Sequence, residues 1–320
     1  GRALSFGSLV TAASMLALPE TSSLKLKAKA DFNFIGKSDV ALVDGEKIVT
    51  GATTYGFDVE LDNMQYAVVA RPPVLGAKVK SFDAEAAKAI AGVIAVVQLP
   101  DLTEPVVFKP LGGVAVIAKN TWAAIKGREA LAIQWHESKH QSYNSDEYKK
   151  ALAKSCDEPA KILRTKGDVS KALSEAKQVL NASYYVPELI HVPMEPPAAA
   201  AHFHDGVFDI WACTQTPQSA QASVAQSTGV AVEDVHINVT LLGGGFGRKS
   251  KPDFVVEAAI LSKQLNVPIK VMWTREDEIQ NGFYHAVSYQ KLAAGLDSSG
   301  SVIAWQHHVA EPPIGSTFSK

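Results

Sequence analysis

The sequence predicts a mixed α/β to α+β fold, because strand-like and helix-like segments alternate along most of its 320 residues. Alternating or β-branched apolar runs indicate strands, and apolar residues spaced three and four positions apart indicate helices. Glycine, proline and asparagine separate these segments, as expected for turns. Because a chain of this length exceeds one average domain, we expect one large domain or two modest ones.

Composition excludes several classes of protein. Apolar residues make up 47% of the chain and charged residues 20%, which is typical of a globular protein and not of a disordered one. The formal net charge is -2, so no global positive field recruits nucleic acid or an anionic membrane. No apolar run approaches the ~20 residues of a membrane span. The two cysteines, Cys156 and Cys213, are too few for an iron–sulfur cluster, which needs about four ligands, so any such cluster must lie on another chain.

The first block of elements mixes helices and strands. The small apolar run Ser5–Leu18 resembles the apolar part of a signal peptide, but we interpret it as an amphipathic helix that Pro19 ends. The predicted elements that follow are strands at 24–37, 48–55 and 64–71, a helix at 83–90, strands at 93–99 and 113–118, a helix at 121–131 and a strand at 132–135.

A polar, lysine-rich stretch at 136–182 separates the two blocks and is typical of a connector, with Asp168 opening a helix at 169–180. The second block repeats the mixed alternation. Its predicted elements are strands at 200–203 and 206–211, a helix at 219–227, a strand at 235–242, a helix at 252–265, a strand at 268–273, and a final strand pair at 289–295 and 302–308. Residues 312–320 contain no predicted element, so we expect the fold to continue beyond Lys320.

The strongest local signal is the glycine-rich run at 243–249 (GGGFGRK), which stands between a predicted strand and a predicted helix. Its glycines let backbone N–H groups approach an anion closely, and the helix dipole adds a favourable potential. The functional interpretation is a site for phosphate or another anionic cofactor, and the structural alternative is a tight crossing turn. Because the spacing matches neither G-x-G-x-x-G nor the P-loop, the nucleotide fingerprints fail.

A second motif is H-E-x-x-H, formed by His136, Glu137 and His140. In a zinc hydrolase the two histidines share one helical face and bind the metal, and the glutamate is the general base. Here the motif enters a polar stretch without the apolar helix that such a site needs. We therefore favour coincidence and keep a zinc hydrolase as the third interpretation.

Further segments stand in a fixed order along the chain, at 47–58 (KIVTGATTYGFD), 63–67, 71–73, 166–168, 191–196 (HVPMEP), 214–218 (TQTPQ), 243–248 and 273–277 (WTRED). This ordered set resembles the molybdopterin-binding subunit of xanthine dehydrogenase and aldehyde oxidase type molybdenum hydroxylases, and it looks most like the isoquinoline 1-oxidoreductase branch. The resemblance implies an a/b hammerhead domain followed by part of a molybdopterin-binding domain. The implied divisions are an N-terminal segment of a preceding or enclosing domain at 1–36, a hammerhead-like domain at 37–135, the polar helical connector at 136–182 and the first part of the molybdopterin-binding domain at 183–320.

The resemblance also implies roles for particular residues. Gln215 matches the family glutamine that hydrogen-bonds an oxygen ligand of molybdenum, and Phe246 matches a residue that walls the substrate pocket and favours flat aromatic or aldehyde substrates. The implied cofactor-binding residues are Gln215, Gly244, Gly245, Phe246, Gly247 and Arg248. None of these residues binds the metal directly. The catalytic glutamate of the family is expected beyond Lys320, so we expect this chain alone to be catalytically incomplete.

The implied activity is hydroxylation of an aldehyde or N-heteroaromatic carbon with oxygen derived from water. The implied cofactor is molybdenum with molybdopterin, in its cytosine dinucleotide form, and the implied partners are the remainder of the molybdopterin subunit, a [2Fe-2S] subunit and a cytochrome c acceptor. By analogy the location is the periplasm, and a cytoplasmic location stays open. The alternative from another class is a non-catalytic structural or assembly half that holds no stable cofactor.

Overall fold

The computed structural model describes residues 3–313 and 315. The expectation about 312–320 therefore falls largely outside the described residues. The chain divides into two compact units between Thr53 and Thr54. In the first unit the described residues form helices α1 (Phe6–Ser14) and α2 (Gly45–Val49) and short 3-10 turns, and none of those residues is buried.

The second unit contains the remaining regular elements. Its helices are α3 (Ala84–Lys88), α4 (Thr121–Glu129), α5 (Ser145–Ser155), α6 (Val169–Glu175), α7 (Pro217–Thr228), α8 (Asp253–Leu265) and α9 (Arg275–Asn281). Its strands are β1 (Gln65–Ala70), β2 (Val79–Ser81), β3 (Val93–Leu99), β4 (Gly113–Ala118), β5 (Gln134–Trp135), β6 (Gln178–Val186), β7 (Leu189–Ile190), β8 (Ala198–His204), β9 (Val207–Ala212), β10 (Val235–Val239), β11 (Ile269–Met272), β12 (Tyr284–His285), β13 (Ser288–Leu296) and β14 (Val302–Ala310).

A seven-stranded mixed sheet organises the second unit, in the order β10-β9-β8-β11-β1-β4-β3. Strands β1, β3 and β4 come from the region at 37–135, and β8 to β11 come from the region at 183–320. Parallel pairing of β1 with β11 joins the two groups, with Gln65 opposite Ile269. The two regions therefore contribute to one sheet, while their division into separate domains stays a prediction.

Helices α7 and α8 pack on the β8 to β11 part of this sheet, and α3 and α4 pack on β1, β3 and β4. Strand β8 begins with four alanines, Ala198 to Ala201, all fully buried, and their small side chains let α8 approach the sheet closely. Strand β4 (GVAVIA) is buried along its whole length, which explains why it is a continuous apolar run without alternation.

Strand direction determines which loops meet. β9 and β10 are parallel neighbours connected by α7, and β1 is parallel to β11. Because β8 is antiparallel to both β9 and β11, the strands β1, β11, β9 and β10 all run in one direction. The carboxyl ends of four strands therefore lie along one edge of the sheet, which is the place where open α/β sheets bind ligands.

The mixed fold predicted from the sequence is confirmed, and most elements from Met64 onward lie where they were expected. Two predicted strands are wrong. The segment 24–37 forms coil with 3-10 turns, and the segment 48–55 begins inside α2 and forms no strand, apart from a single β-bridge between Tyr55 and Leu241. Alternation alone does not make a strand, because the backbone groups of a strand need a neighbour to pair with.

A separate three-stranded antiparallel sheet follows the connector, in the order β14-β13-β6. Strand β6 occupies residues that were predicted as the end of a helix and of the connector, so α6 ends at Glu175 and not at Leu180. Among the residues that the structure describes, no helix has the length and apolar character needed to cross a bilayer.

Candidate functional site

Gln215 and the glycine-rich turn lie together at the edge where the parallel strands end. Gln215 lies in the loop after β9 and directly precedes Thr216, the N-cap residue of α7. The glycine-rich turn follows β10. The backbone N–H of Gly247 donates to Oε1 of Gln215 over 3.1 Å, and the N–H of Gln215 donates to the carbonyl of Lys249 over 3.0 Å. The structure therefore brings together Gln215 and the turn, which are separated in sequence.

The packing of the turn explains its glycines. A Cβ atom on Gly245 would lie 2.6 Å from Oε1 of Gln215, and one on Gly243 would lie 2.5 Å from Cβ of Glu195. Gly244 and Gly247 have φ of 92° and 94°, a region that strongly favours glycine. Phe246 also has a positive φ, 53°, and its side chain is 68% exposed. The turn therefore holds an aromatic ring at the surface on a strained backbone.

The open side of the turn presents hydrogen-bond donors. Within the described part of the chain, the backbone N–H groups of Gly244, Gly245 and Phe246 have no hydrogen-bond partner. Because Oε1 of Gln215 accepts from Gly247, the exposed amide Nε2 of Gln215 remains free to donate. Consecutive backbone N–H groups around residues of positive φ form a concavity suited to oxygen atoms or anions.

A buried ion pair between Glu195 and Lys249 holds the glycine-rich turn from the side of the protein interior. The Glu195 carboxylate accepts from the backbone N–H of Gly243 over 2.9 Å and from Nζ of the fully buried Lys249 over 2.6 Å. Its other oxygen accepts from the N–H of Phe57 over 3.1 Å. Glu195 therefore ties the turn to the segment that precedes β1. The motif HVPMEP included this residue, but nothing in the sequence alone distinguished its carboxylate from a surface one.

Arg248 occupies a different place from the one expected of a cofactor contact. Its side chain is fully buried, and its guanidinium makes a bidentate pair with Asp253 at 2.9 Å and a bond to Glu278 at 3.2 Å. It also lies 4.7 Å over the ring of Trp273. Because these carboxylates direct the guanidinium into the interior, Arg248 anchors the turn and does not face its open side.

Two carboxylates reinforce this layer beneath the site. Glu257 is fully buried and pairs with Arg71 at 2.5 Å, and it accepts from the indole of Trp273 at 3.0 Å. Burial raises the pKa of the Glu257 carboxyl, and the Arg71 guanidinium opposes that rise. Asp277 receives Arg128 at 2.7 Å and lies 3.7 Å from Arg71. The buried arginines near the turn are therefore each paired with carboxylates inside the protein. The open side of the turn presents neutral backbone N–H groups and the Gln215 amide.

The thiol of Cys213 is buried near the site and donates to the carbonyl of Ala198. Burial raises the pKa of Cys213 to about 11, which keeps its thiol protonated at neutral pH. In the region that the structure describes, no group of three His, Cys, Asp or Glu residues stands close enough to bind a metal ion.

The H-E-x-x-H residues lie away from any helix. β5 ends at Trp135, and residues 136–140 form an irregular loop with Lys139 paired to Glu104 at 3.1 Å. His136 and His140 therefore do not share a helical face, and this geometry argues against the zinc hydrolase interpretation.

Comparison with known proteins gives a consistent result. A molybdopterin cofactor-binding domain family matches residues 155–312. Isoquinoline 1-oxidoreductase subunit beta of Brevundimonas diminuta is 30% identical over 91% of this chain and 37% of its own length. The membrane-bound aldehyde dehydrogenase [pyrroloquinoline-quinone] of Gluconacetobacter polyoxogenes is 29% identical over 97% of this chain and 40% of its own length. Among solved structures, aldehyde oxidoreductase from Desulfovibrio gigas superposes with a TM-score of 0.63 at 17% identity, over 83% of this chain and 33% of that one.

The chain spans about two fifths of the length of these curated relatives. The structural likeness shows that the α/β architecture is shared with these oxidoreductases, and the sequence matches run through both the glycine-rich turn and the Gln215 loop. The chain therefore carries a molybdopterin cofactor-binding domain of the type found in molybdenum hydroxylases of the xanthine dehydrogenase and aldehyde oxidase family.

Proposed function

We propose that this chain supplies part of the molybdopterin site of an oxidoreductase that hydroxylates an aldehyde or an N-heteroaromatic carbon. One observation carries the proposal, namely the contact between Gln215 and a turn with three free backbone N–H groups. These donors lie at the carboxyl ends of parallel strands, where they would stabilise oxygen atoms of a bound cofactor.

The residues present fit the cofactor. Gln215 and the backbone of Gly244 to Phe246 would hold it through hydrogen bonds, and Arg248 and Glu195 would keep the turn in place from below. When bound, the molybdenum cofactor supplies the two-electron oxidation chemistry. The exposed ring of Phe246 offers a flat apolar wall beside these donors, which suits a planar substrate.

We place the remaining components of the reaction outside these 320 residues. We propose that the proton-accepting glutamate lies in sequence corresponding to the rest of the longer relatives, and that electrons pass to a [2Fe-2S] partner. The cysteine count supports placing such a cluster outside these residues, because two buried, separate thiols cannot hold one. The cytosine dinucleotide form of the cofactor, a cytochrome c acceptor and a periplasmic location rest on analogy with the family alone.

The proposal is tested by cofactor content. The chain is expressed in a bacterial host supplied with molybdate, and molybdenum and acid-released pterin are measured per polypeptide after gel filtration. We expect both in the wild-type chain and about fivefold less in Gln215→Ala, the loss expected for one hydrogen bond of about 1 kcal/mol. Gln218→Ala, an exposed glutamine three residues further on, is the matched control and should retain the wild-type content.

Absence of pterin from the wild-type chain would contradict the proposal and favour the alternative of a non-catalytic structural or assembly half. The same measurement separates a molybdopterin from the quinone in the name of the Gluconacetobacter relative, because a quinone brings neither molybdenum nor pterin fluorescence. Aldehyde turnover by the purified chain alone would contradict the proposed catalytic incompleteness.

A further inference from the structure

His191 lies directly beside the glycine-rich turn but is not part of it. The residue follows β7, which pairs with β12, and its ring stacks on His285 with centroids 4.1 Å apart. The next residue, Val192, has φ of 43°, an unfavourable region for a β-branched side chain. This backbone geometry turns the chain sharply after His191, so that Glu195 reaches the base of the turn. The surrounding structure therefore holds the His191 ring in one orientation.

The hydrogen bonding of His191 determines its tautomer. Nδ1 lies 2.9 Å from the carbonyl oxygen of Phe283. A carbonyl only accepts, so Nδ1 carries the hydrogen and the neutral ring keeps its lone pair on Nε2. His191 thus presents Nε2 as a hydrogen-bond acceptor.

The surroundings favour the neutral ring. Burial lowers the pKa of His191, and His285, Arg248 and Lys251 lower it further, while the bond to the Phe283 carbonyl acts in the opposite direction. The side chain is half-buried, so the free Nε2 is also partly shielded from water. An acceptor in this setting gains more from a bound donor than an exposed one does.

Nε2 of His191 faces the turn. A Cβ atom placed on Gly247 would lie 3.7 Å from Nε2, and within the described ranges no group donates to this nitrogen. The site therefore combines the donors of Gln215 and the turn with one acceptor. We propose that Nε2 of His191 accepts a hydrogen bond from an N–H or O–H group of the ligand held at the glycine-rich turn. This inference rests on the proposed function and adds a ligand-binding residue to it.

Two substitutions separate ligand binding from a structural role. His191→Asn places an amide N–H near the Nδ1 position, so it keeps a donor to Phe283 and removes the acceptor. His191→Gln places an amide oxygen near the Nε2 position, so it keeps an acceptor and loses that donor. His136→Asn is the control, because His136 is an exposed histidine outside the site.

The readout is molybdenum and acid-released pterin per polypeptide, from the molybdate-supplied host used above. We expect about fivefold less cofactor in His191→Asn, a smaller loss in His191→Gln and no change in His136→Asn. Wild-type content in His191→Asn, or a greater loss in His191→Gln than in His191→Asn, would overturn the inference and leave the proposed function standing. A wild-type chain without pterin would instead overturn the proposed function, and the inference with it.

A second measurement needs no variant. With ¹⁵N-histidine labelling, long-range proton–nitrogen NMR spectra of the wild-type chain should show the Nδ1–H tautomer for His191. The Nε2 resonance should move upfield when the cofactor-containing form is compared with the cofactor-depleted form, because its lone pair then accepts a hydrogen bond. An Nε2–H tautomer, or an unchanged Nε2 resonance, would contradict the proposal.

Discussion

Gly245 packs closely against the Gln215 side chain and leaves no room for a side chain of its own. In Gly245→Ala the new Cβ would lie 2.6 Å from Oε1 and 2.7 Å from Cδ of Gln215, so the Gln215 side chain must move and its bond with Gly247 must break. We expect cofactor content to fall at least as far as in Gln215→Ala, because the turn itself also shifts. Molybdenum and pterin analysis measures this effect.

The matched control is Gly7→Ala. No atom lies within 4 Å of the added Cβ at Gly7, and its φ is not positive, so this substitution should leave the cofactor content unchanged. Full cofactor retention by Gly245→Ala would show that Gln215 does not need its present position.

Histidine ionisation gives a second prediction at this scale. The hydrogen bond with Asp209 raises the pKa of His204, and the same bond lowers the pKa of Asp209. The His204 contribution to stability is therefore complete below its unfolded pKa of about 6.5 and is lost as pH rises through the higher folded pKa. The Asp209 contribution is present above its unfolded pKa of about 3.9 and is lost in acid.

The difference in thermal midpoint between the wild type and Asp209→Asn should thus be larger at pH 5.5 than at pH 8.5. These two pH values lie on either side of the ordinary histidine pKa of roughly 6.5. Thermal unfolding in buffers of equal ionic strength checks this. His204 is only half-buried, so the effect is small, and a difference that grows toward pH 8.5 would contradict the assignment.

Residues were predictable from sequence where a short contiguous motif carries the signal. The turn from Gly244 to Gly247 stands out as a local pattern, whereas Gln215 was identified through the family resemblance, and the structure places the two in contact. Glu195, Lys249 and His191 were not assigned roles, because their importance depends on partners distant in sequence. Arg248 was expected at the ligand because charge pattern does not reveal that Asp253 and Glu278 turn its guanidinium inward.

At the scale of elements, buried ion pairs with Arg71, which follows β1, connect α8 through Glu257 and α9 through Asp277 to the sheet edge. A substitution of Glu257 tests how much these pairs stabilise the fold. In Glu257→Gln the buried Arg71 loses its closest counter-charge, and we expect a loss of about 3 kcal/mol in the free energy of unfolding. Urea unfolding followed by tryptophan fluorescence measures it, because all five tryptophans lie after Thr54 in the second unit.

Glu129→Gln is the matched control for this prediction. Glu129 pairs with Lys126 on the exposed surface of α4 and should cost less than about 0.5 kcal/mol. Equal costs for the two substitutions would show that the buried pair contributes no more than a surface one.

Strands whose apolar residues fill the buried core were predictable from sequence. Segments for which the sequence does not show whether a neighbouring strand is available were not. Strand β3 and strand β4 have the predicted bounds, since their apolar residues fill a buried layer. The segment at 24–37 alternates just as clearly, yet no described strand pairs with it. Strand β6 was not predicted because nearly all of its residues are exposed, so its sequence shows no alternation of apolar and polar residues that would indicate a buried face.

At the scale of the molecule, the two units differ in burial. In the first unit no described residue is buried, whereas the second contains the continuous core around the seven-stranded sheet. Limited trypsin digestion should therefore cut first at the exposed Lys25, Lys27, Lys29, Lys37 and Lys47 and leave a resistant product that retains the second unit.

Lys126 is the internal control for digestion, because its side chain is also accessible but its helix, α4, packs on the sheet of the second unit. Mass spectrometry of the early fragments identifies the order of cleavage. Early cleavage at Lys126, before any site ahead of Thr54, would contradict the difference in local stability.

Domain organisation was the least predictable property. Composition separates a polar connector from two mixed blocks, but it does not reveal that strands from both blocks join one sheet through β1 and β11. Such pairing depends on contacts between residues far apart in sequence, and neither periodicity nor motif spacing reports them.

The pairing of β1 with β11 also bears on biosynthesis. Gln65 leaves the ribosome about 200 residues before its partner Ile269, so one side of β1 stays unpaired while those residues are synthesised. Synthesis at roughly 5–20 residues per second makes that interval about 10–40 s. The nascent chain thus exposes an apolar strand edge for this whole period, which makes it a natural client for chaperones that bind extended hydrophobic segments.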